Sequence, residues 1–300
     1  MFYPCYCKCM ELRVLRYFLM VAREENITRA AECLHITQPT LSRQLADLEA
    51  ELGVILFERG RHKISLTQDG LLLKSTAQEI VELEEKVKNQ FLENDESVSG
   101  EISFGCGELL STTELSRWLV SFCSKYPKVR YKFFTGTADD IKDRVEKGLL
   151  DFALLMEPVD IAKYEFVRMK TMEKWCLLVK EDSYLSKKKY ISPKDLKNMP
   201  LILPSRENVQ NILSNWLGEY SKKLNIVSTV NLPYNGSILV QQGLGVYFTL
   251  SLDCHYGGVL AKQLKPPVES SSVLAWKRGF PHSKIIETFI THLRASLLIV

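Results

Sequence analysis

Five polar side chains at short spacing form the most informative group in this 300-residue sequence. They are Gln38, Thr40, Ser42, Arg43 and Gln44. Such amide, hydroxyl and guanidinium groups hydrogen bond to base edges and phosphates in the DNA major groove, where Arg suits guanine and Gln suits adenine. The group therefore predicts a helix face that binds DNA. Thr37 is placed to cap this helix, with Pro39 in its first turn.

Two short helices around a tight turn must hold these side chains, because apolar residues recur at helical spacing through residues 28–57. The predicted buried stripe is Ala30, Ala31, Leu34, Ile36, Leu41, Leu45, Leu48 and Leu52. An earlier helix is predicted to support the pair with Leu12, Leu15, Phe18, Leu19 and Ala22. Thr28 is placed to cap the next helix. Taken alone, the helix pair fits a solvated surface hairpin equally well.

A short basic ribbon follows the helix pair at residues 56–67, where two apolar edges flank a glycine-containing tip. Arg59, Arg61 and Lys63 are placed along this ribbon. Lys and Arg contacts to phosphates give affinity and register, whereas base contacts give specificity. The ribbon therefore predicts a wing that contacts the DNA backbone.

Residues 10–73 resemble the winged helix-turn-helix of the LysR-type transcriptional regulators. The run ITRAAECLHITQPTLSRQLADLEAELGVILFERG and the LTQDG at 66–70 match the family pattern without a gap. The resemblance implies an α-helical DNA-binding domain at 10–66. It further implies that Gln38, Pro39, Thr40, Ser42 and Arg43 face DNA, with Arg59 and Arg61 in the wing.

Composition indicates a globular chain of two or three domains, with 46% hydrophobic and 25% charged residues. Residues 1–67 contain 9 Lys or Arg and 8 Asp or Glu, so the predicted DNA-binding domain is not strongly basic. We expect modest, salt-sensitive binding by a dimer. The sequence has no run of roughly 18 apolar residues and no apolar signal-peptide core, which predicts no membrane association and a cytoplasmic location.

Of the eight cysteines, five scattered ones are expected to be reduced and mostly buried: Cys33, Cys106, Cys123, Cys176 and Cys254. Cys5, Cys7 and Cys9 match no common zinc spacing, so we expect no metal and no cofactor. Residues 1–9 precede the LysR resemblance and are interpreted as an N-terminal extension.

One long helix is predicted over residues 67–93, with Thr67 as its cap. Its apolar seam is Leu73, Ile80, Leu83, Val87 and Phe91. A near-heptad seam with charged flanks indicates a partner helix, and packing onto its own domain is the alternative. The resemblance implies that this linker forms a homodimer or homotetramer. Residues 94–99 break the periodicity and are predicted to be a hinge.

Residues 100–300 alternate short β-rich runs with helical patterns, which predicts an α/β domain with a largely parallel sheet. The resemblance implies a two-lobed effector-binding domain that is similar to periplasmic binding proteins. Lobe I would comprise about 100–168 and 270–300, and lobe II about 169–269. The runs at 148–153 and 242–246 fit family motifs, although Thr249-Leu250-Ser251 replaces the usual proline.

Ligands of open α/β sheets bind beyond the carboxyl ends of the strands. The residues at these positions are Cys106, Gly107, Glu108, Thr135, Gly136, Thr137, Pro204, Ser205, Arg206, Asn231 and Asn235. Nearby helix N-termini favour a carboxylate. The hypothesis is a small organic anion or amino acid with Arg206 as the anion partner. Solvated surface charges at Glu108 and Arg206 are the alternative.

These features together predict a promoter-binding regulator whose effector closes the cleft, changes the angle between the DNA-binding heads and so changes the DNA bend. Redox sensing by Cys106, or by Cys176 and Cys254, is an alternative for the same fold. A small-molecule-binding protein without regulatory DNA binding is another. Catalysis is not expected, because the sequence lacks metal-ligand histidine spacing, a phosphate-binding loop and a nucleophile elbow.

Overall fold

A computed structural model describes residues 10–60, 63–92 and 98–298. The chain has two compact units, divided after Leu92. The predictions for Cys5, Cys7, Cys9 and the N-terminal extension, and for hinge residues 94–97, lie outside the described residues. No helix in the described ranges has the length and apolar content needed to span a membrane.

The first unit contains three helices, a two-stranded ribbon and a long helix, in the predicted order. They are α1 (Leu12–Glu24), α2 (Ile27–Cys33), α3 (Gln38–Leu52), β1 (Phe57–Arg59), β2 (Ile64–Leu66) and α4 (Gln68–Leu92). The strands β1 and β2 pair antiparallel, with Phe57 opposite Leu66. The predicted winged helix-turn-helix with a long linker helix is therefore confirmed.

The core of the first unit consists of residues from α1 to α4, and it is built largely as the helical spacing predicts. Its buried members are Val14, Leu15, Phe18, Val21, Ala30, Ala31, Leu41, Leu45, Leu48, Leu56 and Ala77. The prediction was wrong for Leu12 and Leu52, which are 40% exposed. Leu12 is the first residue of α1 and Leu52 is the last residue of α3. Leu19, Ala22, Leu34 and Ile36 are half-buried.

The long helix α4 starts at the predicted cap, because the Gly70 amide donates to Thr67 Oγ1 over 3.0 Å. The two halves of its predicted apolar seam have different surroundings. Leu73 and Ile80 pack on the core of the first unit, so the alternative of packing on its own domain is correct for this half. Leu83 and Val87 are 40% and 43% exposed, and the side chain of Phe91 lies outside the description.

The second unit contains two lobes, each built on one sheet. Lobe I contains β3 (Gly100–Cys106), α5 (Thr112–Lys125), β4 (Val129–Thr135), α6 (Ala138–Glu146), β5 (Phe152–Met156), β6 (Tyr164–Arg168), β14 (Ser272–Lys277) and α9 (Lys284–Leu298). Lobe II contains β7 (Glu173–Lys180), β8 (Tyr190–Ile191), β9 (Pro200–Pro204), α7 (Glu207–Leu217), β10 (Asn225–Val230), α8 (Pro233–Gln241), β11 (Val246–Leu250), β12 (Val259–Leu264) and β13 (Glu269–Ser270). This confirms the predicted two-lobed α/β architecture.

Both sheets are mixed, so the prediction of a largely parallel sheet was wrong. The strand order is β4-β3-β5-β14-β6 in lobe I and β10-β9-β11-β7-β12-β8 in lobe II, with β13 on β7. Strands β4, β3 and β5 are parallel, and so are β10, β9 and β11. Strands β7 and β14 follow the two crossings between lobes and enter their sheets antiparallel to β11 and β5.

Two buried carboxylates join the lobes where the chain first crosses between them. Glu114 of α5 accepts hydrogen bonds from the amides of Lys170 and Thr171, over 2.9 and 3.0 Å. Glu173 of β7 accepts from the amides of Leu110 and Ser111, over 2.8 and 3.0 Å. Buried amides without acceptors are costly, so these carboxylates stabilise the junction of the lobes.

We expect Glu173→Ala to lower the free energy of unfolding of the second unit by about 3 kcal/mol, because two buried amides lose a charged acceptor. All four tryptophans lie in this unit, at Trp118, Trp175, Trp216 and Trp276, so selectively excited tryptophan fluorescence in a urea titration follows it alone. The exposed Glu181, just after β7, supplies the control Glu181→Ala, with an expected loss below about 0.5 kcal/mol. Equal losses for the two variants would contradict the stabilising role.

Candidate nucleic-acid interface and ligand cavity

The start of α3 presents its polar side chains to solvent. Gln38, Pro39, Thr40 and Arg43 are exposed, while Ser42 and Gln44 are half-buried. The buried residues Leu41, Leu45 and Leu48 occupy the opposite side of the helix. The first turn holds no acidic residue. Arg43 has no hydrogen-bond or ion-pair partner within the described ranges, so its guanidinium group is available to a ligand.

Thr37 is the N-cap residue of α3, as predicted, with Pro39 in the first turn. Its side chain makes no capping hydrogen bond to the helix backbone. Instead, its Oγ1 lies 2.8 Å from Oγ1 of Thr40. The two hydroxyls therefore form a pair at the exposed start of the helix.

Thr28 does not cap α2, so that prediction was wrong. The N-cap is Asn26, whose side chain accepts a hydrogen bond from the Arg29 amide over 3.0 Å. Asn26 directly precedes the helix and has extended backbone geometry. From this position a cap side chain can reach forward to an amide of the first turn. Thr28 lies one residue inside the helix and is exposed.

The predicted wing packs beside α3 through a carboxylate from the late part of that helix. Glu49 Oε1 accepts hydrogen bonds from the amides of Leu56 and Phe57, over 2.7 and 3.1 Å. Lys63 is exposed and its Nζ lies 2.6 Å from Glu25 Oε2. The backbone of Arg59 is in β1, but its side chain is outside the description, and Arg61 lies outside the described residues.

A cavity of about 110 Å³ lies between the two lobes of the second unit. Eight of the predicted ligand residues line it: Gly107, Glu108, Gly136, Thr137, Pro204, Ser205, Arg206 and Asn231. The volume approaches that of a 150 Å³ apolar cavity that binds benzene, so it suits a small organic molecule. The structure thus brings residues from four separate loops to one site.

Cys106, Thr135 and Asn235 are not among the residues that line this cavity, so their role as ligand contacts stays a prediction. Cys106 is the last residue of β3 and is buried in the core of lobe I. Thr135 ends β4 and is exposed, as is Asn235 within α8. Side chains alternate across a sheet, so the end of a strand directs only some of them toward the cavity.

Much of the lining is apolar and was not predicted. It includes Ile141, Met156, Trp175, Val209, Tyr247 and Leu250. The ring of Trp175 stacks on Phe248 at 4.7 Å between centroids. Tyr247 packs on Gly236, where a Cβ would lie only 2.3 Å from the ring. The carboxyl ends of β5 and β11 were the available signal for Met156 and Leu250.

Two charged side chains, Glu108 and Arg206, line the cavity and have different surroundings. Burial raises the pKa of Glu108, because its carboxylate is partly removed from water. Arg206 has a side chain only 17% exposed, and its Nε lies 3.5 Å from Asp139 Oδ2 of lobe I. The site therefore contains a poorly solvated carboxylate and a guanidinium group with one long contact.

The thiols proposed for redox sensing are poorly placed to ionise. Burial raises the pKa of Cys106, and it raises the pKa of Cys176 to about 12. The thiolate is the form that reacts with oxidants, so a redox role for these two residues is not favoured. Cys33 and Cys254 are exposed. Within the described ranges, no group of three or more His, Cys, Asp or Glu side chains could hold a metal ion.

Two family models match most of the chain. The model described as "Bacterial regulatory helix-turn-helix protein, lysR family" matches residues 12–71. The model described as "LysR substrate binding domain" matches residues 95–298. Both parts of the sequence resemblance are therefore confirmed.

Known proteins of similar length agree with these matches. The Hca operon transcriptional activator HcaR of Escherichia coli is 28% identical over 279 residues, which cover 90% of this chain and 93% of that protein. The HTH-type transcriptional regulator BsdA of Bacillus subtilis is 30% identical over 215 residues, covering 71% and 73%. The solved structure of CbnR, a LysR family transcriptional regulator, aligns with a TM-score of 0.75 at 21% identity, covering 96% of this chain and 99% of that one.

We expect thiol alkylation at pH 8 to modify Cys33 and Cys254 rapidly and to leave Cys106 and Cys176 unmodified, because burial keeps both of the latter protonated and covered. Raising the pH toward 9 should not ionise the Cys176 thiol, because burial raises its pKa to about 12. Peptide mapping by mass spectrometry measures each site separately. Rapid labelling of Cys106 in the folded protein would contradict this account and favour the redox alternative.

Proposed function

The chain belongs to the LysR family of bacterial transcriptional regulators, and we propose that it reads promoter DNA with the residues at the start of α3. The observation that carries this proposal is the exposed Arg43 beside Ser42, on a helix whose opposite side is buried. Gln38, Pro39 and Thr40 extend the same surface. Such a helix start fits the major groove, where its side chains reach base edges.

Phosphate contacts are proposed for the residues that flank this surface. Arg59, Arg61 and Lys63 of the wing carry the positive charges, and Thr28 and Thr37 supply exposed hydroxyls at the starts of α2 and α3. Contacts of this kind fix the orientation of the protein on the duplex without reading its sequence. They also make binding depend on salt concentration.

The boundaries proposed from the sequence are 10–66 for the DNA-binding domain, 67–93 for the linker helix, 94–99 for the hinge and 100–300 for the effector domain. A homodimer or homotetramer is proposed through the linker helix and the effector domains. The exposed Leu83 and Val87 on α4 support this, because apolar residues four positions apart on one helix face favour a partner helix.

The cavity between the lobes is proposed as the effector site, for a small organic anion or amino acid. Arg206 would bind the carboxylate, aided by the N-termini of α7 and α8, which lack side-chain caps. Occupancy of the cavity would shift the lobes and so change how the DNA-binding heads engage and bend promoter DNA. The proposed protein is a cytoplasmic regulator that acts on DNA and performs no catalysis.

We expect Arg43→Ala to weaken binding to a promoter site about 5- to 150-fold, because one base contact is worth about 1–3 kcal/mol. Ser42→Ala should act in the same direction with a smaller effect. The assay is a titration of labelled DNA from upstream of the gene against unlabelled competitor, at several salt concentrations.

The matched control is Glu51→Ala, an exposed acidic residue in the last turns of the same helix. The DNA affinity of this variant should stay within about twofold of the parent, since Glu51 lies away from the helix start. Salt-dependent binding that shows no sequence preference and is unchanged by Arg43→Ala would contradict the proposed reading surface.

Lys63 and Glu25 permit a separate test of the wing. Lys63→Ala should weaken binding to promoter and unrelated DNA alike and reduce the salt slope by about 1, as expected for one phosphate contact. Glu25→Gln should strengthen both by about threefold, because it frees Lys63 and removes a negative charge near the phosphates. Fluorescence anisotropy with two duplexes measures both effects. Loss of affinity for the promoter duplex alone would show that Lys63 contacts a base instead.

A further inference from the structure

The cavity brings together opposite charges from opposite lobes. Glu108 follows β3 in lobe I, and Arg206 follows β9 in lobe II. The carboxylate of Glu108 has no hydrogen-bond or ion-pair partner among the described residues. A partly buried carboxylate without a partner is unfavourable, so this position suits a cationic ligand group.

The Arg206 side of the cavity suits a carboxylate. Asp139, the ion-pair partner of Arg206, is 75% exposed and the contact is 3.5 Å long. Contacts of this kind contribute little, so a ligand carboxylate inside the cavity can replace Asp139. The nearby starts of α7 and α8 lack side-chain caps, whereas Asp140 and Thr137 form a capping box at the start of α6. The start of α8 also has no acidic residue in its first turn, so it adds positive potential on the lobe II side.

The remaining lining requires an apolar ligand body. Ile141 and Met156 come from lobe I, and Trp175, Val209 and Leu250 come from lobe II. The volume of about 110 Å³ suits a small apolar body. The site thus presents a carboxylate acceptor for a cation, a guanidinium group for an anion and an apolar lining for the rest of the ligand.

We propose that the cavity binds a free α-amino acid with an apolar side chain, with its ammonium group at Glu108 and its carboxylate at Arg206. This deepens the proposed effector site and rests on it. A simple organic anion would leave Glu108 without a cation and add a second negative charge near it. A simple amine would leave Arg206 with Asp139 alone. Only a ligand with both charges satisfies both lobes at once.

The test is calorimetric titration of the full-length protein with apolar L-amino acids from alanine to phenylalanine. The 2-oxo acid and the amine that match the tightest binder are titrated beside it. The amino acid should bind at least tenfold more tightly than either analogue, because each analogue lacks one of the two charges. A 2-oxo acid that binds equally well, or no binding by any of the amino acids, overturns the proposal.

Glu108→Gln separates an ion pair from a hydrogen bond. Gln retains a hydrogen-bond acceptor for the ammonium group but no charge, so the variant should lose at least tenfold in affinity for the amino acid and lose none for the 2-oxo acid. Asp139→Asn is the matched control and should strengthen binding, because it frees Arg206. Unchanged amino-acid affinity in Glu108→Gln overturns the proposal. Thermal unfolding followed by tryptophan fluorescence establishes that both variants are folded.

Promoter binding in the same preparations keeps this inference distinct from the proposed function. If the protein binds its promoter site and a 2-oxo acid changes that binding while no amino acid does, the effector site stands and the amino-acid proposal fails. If promoter binding itself shows no dependence on Arg43, the proposed DNA-reading function fails, whatever the cavity binds.

Discussion

Burial of one side of α3 is the constraint on which the DNA-binding surface depends. Leu41, Leu45 and Leu48 are fixed in the core of the first unit, so the polar residues at the start of the helix must face outward. The same helix also anchors the wing, because Glu49 accepts hydrogen bonds from the amides of Leu56 and Phe57. One packed helix thus sets the positions of both the proposed base contacts and the proposed phosphate contacts.

An equivalent constraint operates in the second unit, where the chain crosses between two mixed sheets. Glu114 and Glu173 bind backbone amides on either side of the first crossing, which fixes the junction of the lobes. The cavity lies between the lobes, and its charged residues Glu108 and Arg206 belong to different ones. A ligand that contacts both would therefore favour one arrangement of the lobes, as a regulatory site requires.

Local sequence patterns predicted most of the fold. They failed where packing between distant parts of the chain determines burial or strand direction. Helical spacing identified much of the core of the first unit, but it missed Val14 and Val21 and was wrong at Leu12 and Leu52. Spacing does not reveal where a covering neighbour ends. The alternation of β-rich runs with helices was recognised, but the directions of the strands were not, because the return of the chain through β14 is a long-range event. Eight loop residues of the cavity followed from the rule on strand ends. Trp175 did not, because it reaches the site from the interior of β7.

The link between the cavity and the DNA-binding head is tested most directly by one calorimetric comparison. The tightest-binding apolar amino acid is titrated into the full-length protein, first alone and then with saturating promoter duplex. Coupled sites must change each other's affinity by the same factor, so we expect the ligand affinity to shift by about 5- to 150-fold and the DNA affinity to shift equally. Ligand affinities that are identical with and without the duplex would contradict the regulatory link between the two sites.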